Sequence, residues 1–212
     1  MDVVIAGGHG QIALRLSRLL AARGDRVRGL IRNPDHAGDV EVAGAEPVLA
    51  DLEAADDVSP AVGGADAVVF AAGAGPGSGA ARKRTMDLGG AVKLLEAAQA
   101  TGVPRYVMIS SMGAEDPGAG SEAMRPYLEA KADADAAVAA SGLAYTIVRP
   151  GRLTDDPGTG RVRVAERLEF ASIPRDDVAA TLVAVLDDPG TVGRSFAVVS
   201  GDDEIAKALR RL

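Results

Sequence analysis

The chain has 212 residues, 47% of them hydrophobic and 25% charged, enough for one buried core with at most a small annex. Its 23 Lys and Arg stand against 30 Asp and Glu, a formal net charge of −7, so it lacks the basic footprint that phosphate-backbone binding needs, and nucleic acid is not an expected partner. The absence of cysteine removes disulfides, thiolate nucleophiles and Cys-ligated zinc; only His9 and His36 offer imidazole, from different elements, so no metal site is expected.

The first residues run directly into a strand over 3–6, continuously apolar as in a strand covered on both faces. No basic n-region precedes it and no apolar run reaches bilayer length, which points to a soluble cytoplasmic protein without a membrane partner. Ile12, Leu16, Leu19 and Leu20 then recur at helical spacing, and Gly24 supplies the stop. Further strands are expected over 27–31, 47–49, 67–70, 106–109 and 145–148, each bounded by Gly, Pro, Asp or Ser. A helix carrying Met86, Val92, Leu94, Leu95 and Ala98 separates the fourth from the fifth, closed by Gly102 and Pro104. This is α/β alternation around six parallel strands. Beyond residue 150 come a Gly/Pro/Asp loop over 154–160, a strand over 162–164, a helix over 176–186, a strand over 196–199 and a last amphipathic helix. The whole of 1–212 is expected to form a single domain, with 150–212 shaping the substrate side. Two Gly-rich stretches, 71–81 and 113–121, follow strands at the carboxyl edge where open α/β sheets bind ligands; they are lids or plain surface loops. The five Met and the few aromatics are taken as core.

Between the first strand and first helix stands Gly7-Gly8-His9-Gly10-Gln11-Ile12-Ala13, which fits both Gly7-x-x-Gly10-x-x-Ala13 and Gly8-x-Gly10-x-x-Ala13. A tight turn needs glycine, a pyrophosphate approaching the backbone tolerates no Cβ, and the helix opening at Gln11 offers free N–H groups to an anion. The alternative is a purely structural glycine turn. The second strand ends in Leu30-Ile31-Arg32-Asn33, where a cofactor with a free 2′-hydroxyl would meet Asp or Glu. A guanidinium suits a 2′-phosphate instead, so NADP(H) is expected in preference to NAD(H), with a solvated arginine as the alternative and Asp35 nearby as a counter-charge. Asp51-Leu52, after the third strand, occupies the place from which a carboxylate meets an adenine amino group.

Tyr127-Leu128-Glu129-Ala130-Lys131 begins a helix opened by Pro126. Four residues apart on a helix is one face, so phenol and ammonium point into the same space; the cation favours phenolate and makes Tyr127 a proton donor to a carbonyl oxygen. Lys131 is also placed to hold ribose hydroxyls. Ser110-Ser111, at the end of the fifth strand, offers a hydroxyl to the same substrate oxygen, or else simple turn chemistry.

The glycine turn, Arg32, Asp51-Leu52, Ala71-Ala72-Gly73, Ile109-Ser110-Ser111, Tyr127-x-x-x-Lys131 and Val148-Arg149-Pro150-Gly151 together resemble the short-chain dehydrogenase/reductase superfamily. More narrowly they are similar to its atypical group related to NmrA-like and flavin-reductase-like proteins. The resemblance implies a three-layer Rossmann fold with a central, mostly parallel sheet and a dinucleotide laid across the strand ends, past Ala71, Ala72, Gly73 and Ser110. It further implies Ser111 as the residue orienting a carbonyl, Tyr127 as acid/base, Lys131 as its support, and Pro150-Gly151 along the nicotinamide. Where many members carry a catalytic Asn, this chain offers Asp87. The small C-terminal part argues against nucleotide-sugar epimerases. The leading expectation is an NADP-dependent reductase of a small carbonyl, quinone or flavin-like compound, as monomer or dimer; the rivals are a non-catalytic NADP-binding redox sensor and an NAD(P)-dependent epimerase.

Overall fold

Val3, Val4, Ile5 and Ala6 of β1 (Asp2–Ala6) are all fully buried in the computed structural model, which requires cover on both faces of the sheet. The structure describes every residue except Pro76, which falls within the Gly-rich stretch 71–81 and lies outside the described residues. The remaining strands in chain order are β2 (Arg26–Ile31), β3 (Glu46–Leu49), β4 (Ala67–Phe70), β5 (Arg105–Ile109), β6 (Ala144–Pro150), β7 (Arg152–Thr154), β8 (Arg161–Ala165), β9 (Ser172–Pro174), β10 (Arg194–Ser200) and β11 (Asp203–Glu204).

The main sheet has nine strands in the order β11-β8-β10-β6-β5-β4-β1-β2-β3. The six strands expected from the sequence run parallel, β10 joins them parallel to β6, and only β8 is reversed, pairing antiparallel with both β10 and β11. Strand order reverses between β1 and β4, the switch point at whose carboxyl edge α/β sheets open a crevice. Strands β7 and β9 form a separate parallel pair just beyond β6.

The helices are α1 (Gln11–Ala22), α2 (Ala37–Val42), α3 (Ser59–Val62), α4 (Ala80–Arg82), α5 (Ala91–Thr101), α6 (Arg125–Ala139), α7 (Arg175–Asp187) and α8 (Ile205–Leu209). Leu16 and Leu20 of α1 pack with Leu182 and Val185 of α7 and with Phe196 on one face of the sheet. Leu94, Leu95 and Ala98 of α5 pack with Val138 of α6 and Tyr106 on the other, which completes the three-layer Rossmann architecture. Helix α5 stops where Gly102 turns left-handed (φ 72°), with Val103 N–H returning to the Ala98 carbonyl. Its beginning departs from the sequence expectation: α4 passes through a π-helical segment, Lys83–Gly90, before α5 begins. The closing helix is also shorter than its amphipathic pattern suggests, only Ile205–Leu209. Among the described residues no helix is long and apolar enough to cross a membrane.

Candidate functional site

The cleft at the switch point is lined by Gly7, His9, Gly10, Arg32, Asp51, Leu52, Ala71, Ala72 and Gly73, which the sequence assigned to a cofactor, and encloses about 280 Å³. Gly7 has φ +77°, and a Cβ on it would lie 2.7 Å from the Ala72 Cα, so both backbone freedom and close approach demand glycine. Gly8 serves packing: its Cβ would meet the Gly29 Cα of β2 at 2.7 Å. A Cβ on Gly10 would sit 3.0 Å from the Gly7 carbonyl oxygen and close the turn over which α1 begins. With Ala13 fully buried below, this backbone cradle fits a pyrophosphate at the helix N-terminus.

Leu30, Ile31, His36, Ala50, Arg82 and Met86 also line the cleft and were not anticipated. Arg82 is the most consequential. Its Nη2 lies 3.1 Å from Glu53 Oε2, the same oxygen that stands 3.5 Å from Arg32 Nη1. Thr85 Oγ1 donates to the other oxygen at 2.8 Å. Burial alone would raise the Glu53 carboxyl, but the Thr85 hydrogen bond and the guanidiniums of Arg82 and Arg32 outweigh it and hold the group below its ordinary range. Two arginines thus face one carboxylate at the mouth of the cleft. Asp51 lines it too, with Oδ1 accepting from the Glu53 and Ala54 N–H groups.

The two histidines, expected apart, stack with ring centroids 3.7 Å apart, and His9 Nε2 is 2.8 Å from Asp39 Oδ2. The reason is topological: parallel pairing of β1 with β2 brings the loops that follow both strands to one edge. Asn33 caps the turn Pro34–His36, its Oδ1 accepting from Asp35 N–H. It does not line the cleft, and neither do Gly8, Gln11 or Ile12.

Beside this cleft, Ser111, Tyr127 and Gly151 line a second, largely apolar pocket together with Leu153, Leu168 and Phe170. It is closed from the 150–212 side by β7 and the segment leading to β9. Gly151 is glycine because a Cβ would lie 2.0 Å from the Ala171 carbonyl oxygen, which accepts from Arg152 N–H at 2.9 Å. Pro150, expected with it along the nicotinamide, is buried at the end of β6. The assignment of Met and aromatic residues to the core is corrected here: Met124 and Phe170, also on this pocket, are 46% and 69% exposed. Both sit in loops, where the helical and strand periods that identify core positions do not apply.

Between the pocket residue Tyr127 and the cleft residue Gly73 lies a buried polar pair that lines neither cavity. Lys131 Nζ donates to the Ile109 carbonyl at 3.1 Å and lies 3.4 Å from Asp87 Oδ1 and 5.9 Å from the Tyr127 ring centroid. Asp87 Oδ2 accepts from Ala74 N–H at 3.3 Å, and a Cβ on Gly73 would sit 3.2 Å from Asp87 Oδ1, so Asp87 stands behind the cleft wall. The segment 71–81 is therefore not a free loop at its start: Ala74 is buried and α4 begins at Ala80. Ser111 Oγ donates to the Met112 carbonyl, while Ser110 Oγ is buried without a partner among the described residues. Tyr127 and Lys131 share the α6 face that their spacing requires.

The chain matches the family model described as NAD(P)H-binding over residues 7–189. It is 42% identical, over all of both chains, to the uncharacterised sugar epimerase YhfK of Bacillus subtilis. Among solved structures it is similar to a Bacillus halodurans protein described provisionally as an NAD-dependent epimerase/dehydratase, with TM-score 0.95, 40% identity and 100% of both chains covered. The oxidoreductase ylbE of Lactococcus lactis matches with TM-score 0.88 and 25% identity over 100% of this chain and 96% of that one.

Proposed function

The chain belongs to the NAD(P)H-binding family, and from that premise we propose that it is a cytoplasmic NADP(H)-dependent reductase of a small carbonyl, quinone or flavin-like compound. The observation that carries this reading is that Ser111 and Tyr127 share one apolar pocket, and that the buried Lys131–Asp87 pair links Tyr127 to Gly73 on the wall of the nucleotide cleft.

In this reading Gly7, Gly10 and the first N–H groups of α1 hold the pyrophosphate, Asp51 faces the adenine, and Arg32 with Arg82 takes the 2′-phosphate. A bound nicotinamide supplies the hydride to the acceptor carbon. Ser111 rotates its hydroxyl from the Met112 carbonyl to the acceptor oxygen, and Tyr127 gives that oxygen its phenolic proton, which solvent restores. Lys131 and Asp87 act as a positioning pair that fixes the α6 face carrying Tyr127. Leu153, Leu168, Phe170 and Met124 exclude water from a planar or compact apolar substrate. For a flavin or quinone, proximity carries most of the effect and Tyr127 matters less.

The epimerase names of the Bacillus relatives favour one second reading, in which a retained nicotinamide would take hydride from a sugar carbon and the hydride would be returned to the opposite face of that carbon. The two are separated by measuring NADPH oxidation by the purified protein across aldehydes, ketones, quinones and free flavins, with direct NADP(H) and NAD(H) titrations. Acceptor-dependent oxidation, lost in Tyr127→Phe for carbonyl acceptors with NADPH affinity retained, is the expected result. Tight binding with no NADPH oxidation in the presence of any acceptor would instead favour the retained-cofactor or sensor role.

A further inference from the structure

The sequence paired Tyr127 with Lys131, but a different ammonium stands closer to the phenol. Lys83 Nζ lies 4.9 Å from the Tyr127 ring centroid, against 5.9 Å for Lys131 Nζ. The two lysines differ in more than distance. Lys131 is almost wholly buried, donates to the Ile109 carbonyl and faces the Asp87 carboxylate at 3.4 Å, so its charge is balanced where it sits. Lys83 is half-buried and makes no ion pair among the described residues. The uncompensated positive charge at the phenol is therefore Lys83's.

The placement follows from the helix geometry. Lys83 and Asp87 stand four residues apart on the π-helical segment, as Tyr127 and Lys131 do on α6, and the two elements pack side by side. Each residue of one pair meets one of the other: Lys83 the Tyr127 ring, Asp87 the Lys131 ammonium. A widened π turn is a common device for turning side chains toward a site.

We propose that Lys83 is the cation that stabilises negative charge on Tyr127 as its proton leaves, while Lys131, neutralised by Asp87, holds the helix face in place. This rests on Tyr127 being the proton donor of the proposed reduction. Other charges around the phenol are Glu115, Asp116 and Arg152 on the pocket wall and the positive end of α6, near whose start Tyr127 lies; a change at Lys83 leaves all of them in place.

The test is the ionisation of Tyr127 itself, read by ultraviolet difference titration of the full-length protein with the Tyr127→Phe spectrum subtracted. It needs neither substrate nor turnover. Lys83→Met is expected to raise the Tyr127 midpoint by about half a unit or more. Lys83→Arg is expected to keep the midpoint near that of the parent protein, because it restores the charge. An unchanged midpoint in Lys83→Met, or an equal rise in Lys83→Arg, would overturn the proposal; the second would mean that Lys83 acts by packing alone. Circular dichroism of both variants separates a local effect from misfolding, and Lys83→Gln gives a second neutral variant should Lys83→Met fold poorly. If Tyr127→Phe retained full carbonyl reduction, the proton-donor role would fall, while the titration would still decide whether Lys83 sets the phenol's charge.

Discussion

Lys131 and Asp87 face each other at 3.4 Å with side-chain exposures of 4% and 1%, a buried ion pair beneath the nucleotide cleft. The protein supports it with two backbone groups, the Ile109 carbonyl on the ammonium and the Ala74 N–H on the carboxylate. Such a pair stabilises little relative to apolar residues of the same shape, but breaking it strands a charge. Asp87→Ala is therefore expected to destabilise the fold by about 3–5 kcal/mol, and Asp87→Ala combined with Lys131→Met to recover a large part of that loss. Urea denaturation of the two single variants and the double variant measures the coupling. Additive losses would mean that the two charges do not interact and that each is satisfied by its backbone partner alone.

The shared carboxylate between Arg32 and Arg82 sets up opposite effects at one edge of the cleft. Arg32→Ala is expected to weaken NADPH by about 10–100-fold, the worth of a charge-assisted contact, and NADH only slightly. Glu53→Gln removes the charge that competes for both guanidiniums and should tighten NADPH several-fold with NADH unchanged. Fluorescence titration with each nucleotide checks both. Equal losses for NADPH and NADH in Arg32→Ala would remove the 2′-phosphate from Arg32.

Much of this arrangement was legible in the sequence because its signals are local. Apolar runs bounded by turn residues located β1 to β6, and the glycine turn, Arg32 and Asp51 each follow a strand whose carboxyl end must reach the same edge once the sheet is parallel. Tyr127 and Lys131 needed only helical spacing. What stayed hidden depends on contacts between elements. Arg82 ends α4 and Lys83 opens the π-helical segment, where no periodic mark singles them out and which a 3.6-residue period does not anticipate. The stack of His9 on His36 arises across 27 positions of chain from the pairing of β1 with β2. The glycines were recognised for a nucleotide, yet Gly8 and Gly151 are fixed by neighbouring backbone.

That distinction has a measurable consequence. Gly8→Ala puts a Cβ 2.7 Å from the Gly29 Cα, backbone against backbone in the middle of the sheet edge, so neither side gives way cheaply. The expected cost is about 1–3 kcal/mol in the nucleotide-free protein, seen as a lower urea midpoint. Gly79→Ala, where a Cβ meets nothing within 4 Å among the described residues, should change stability by less than about 0.5 kcal/mol. A Gly8→Ala protein of unchanged stability but reduced nucleotide affinity would return Gly8 to the cofactor.

One turn further along α6 from Lys131, Asp135 carries a different pH signature. Its Oδ2 accepts from Arg149 Nε at 2.9 Å, while Oδ1 is buried without a hydrogen-bond partner among the described residues. Burial pushes the carboxyl above its ordinary value of 3.8, and the opposing pull of Arg149 and Lys131 does not cancel it. Because the folded value is the higher one, the folded protein keeps a proton over a range in which the unfolded chain has released it. The Asp135 contribution to stability is then greatest below about pH 4 and falls as pH rises through the folded value. Asp135→Asn, which cannot titrate, should lack this slope. Urea midpoints of both proteins taken across the acid range should show parent stability declining relative to Asp135→Asn as pH increases. A gap moving the other way would mean that the Arg149 pairing outweighs burial and that the carboxylate is ionised throughout.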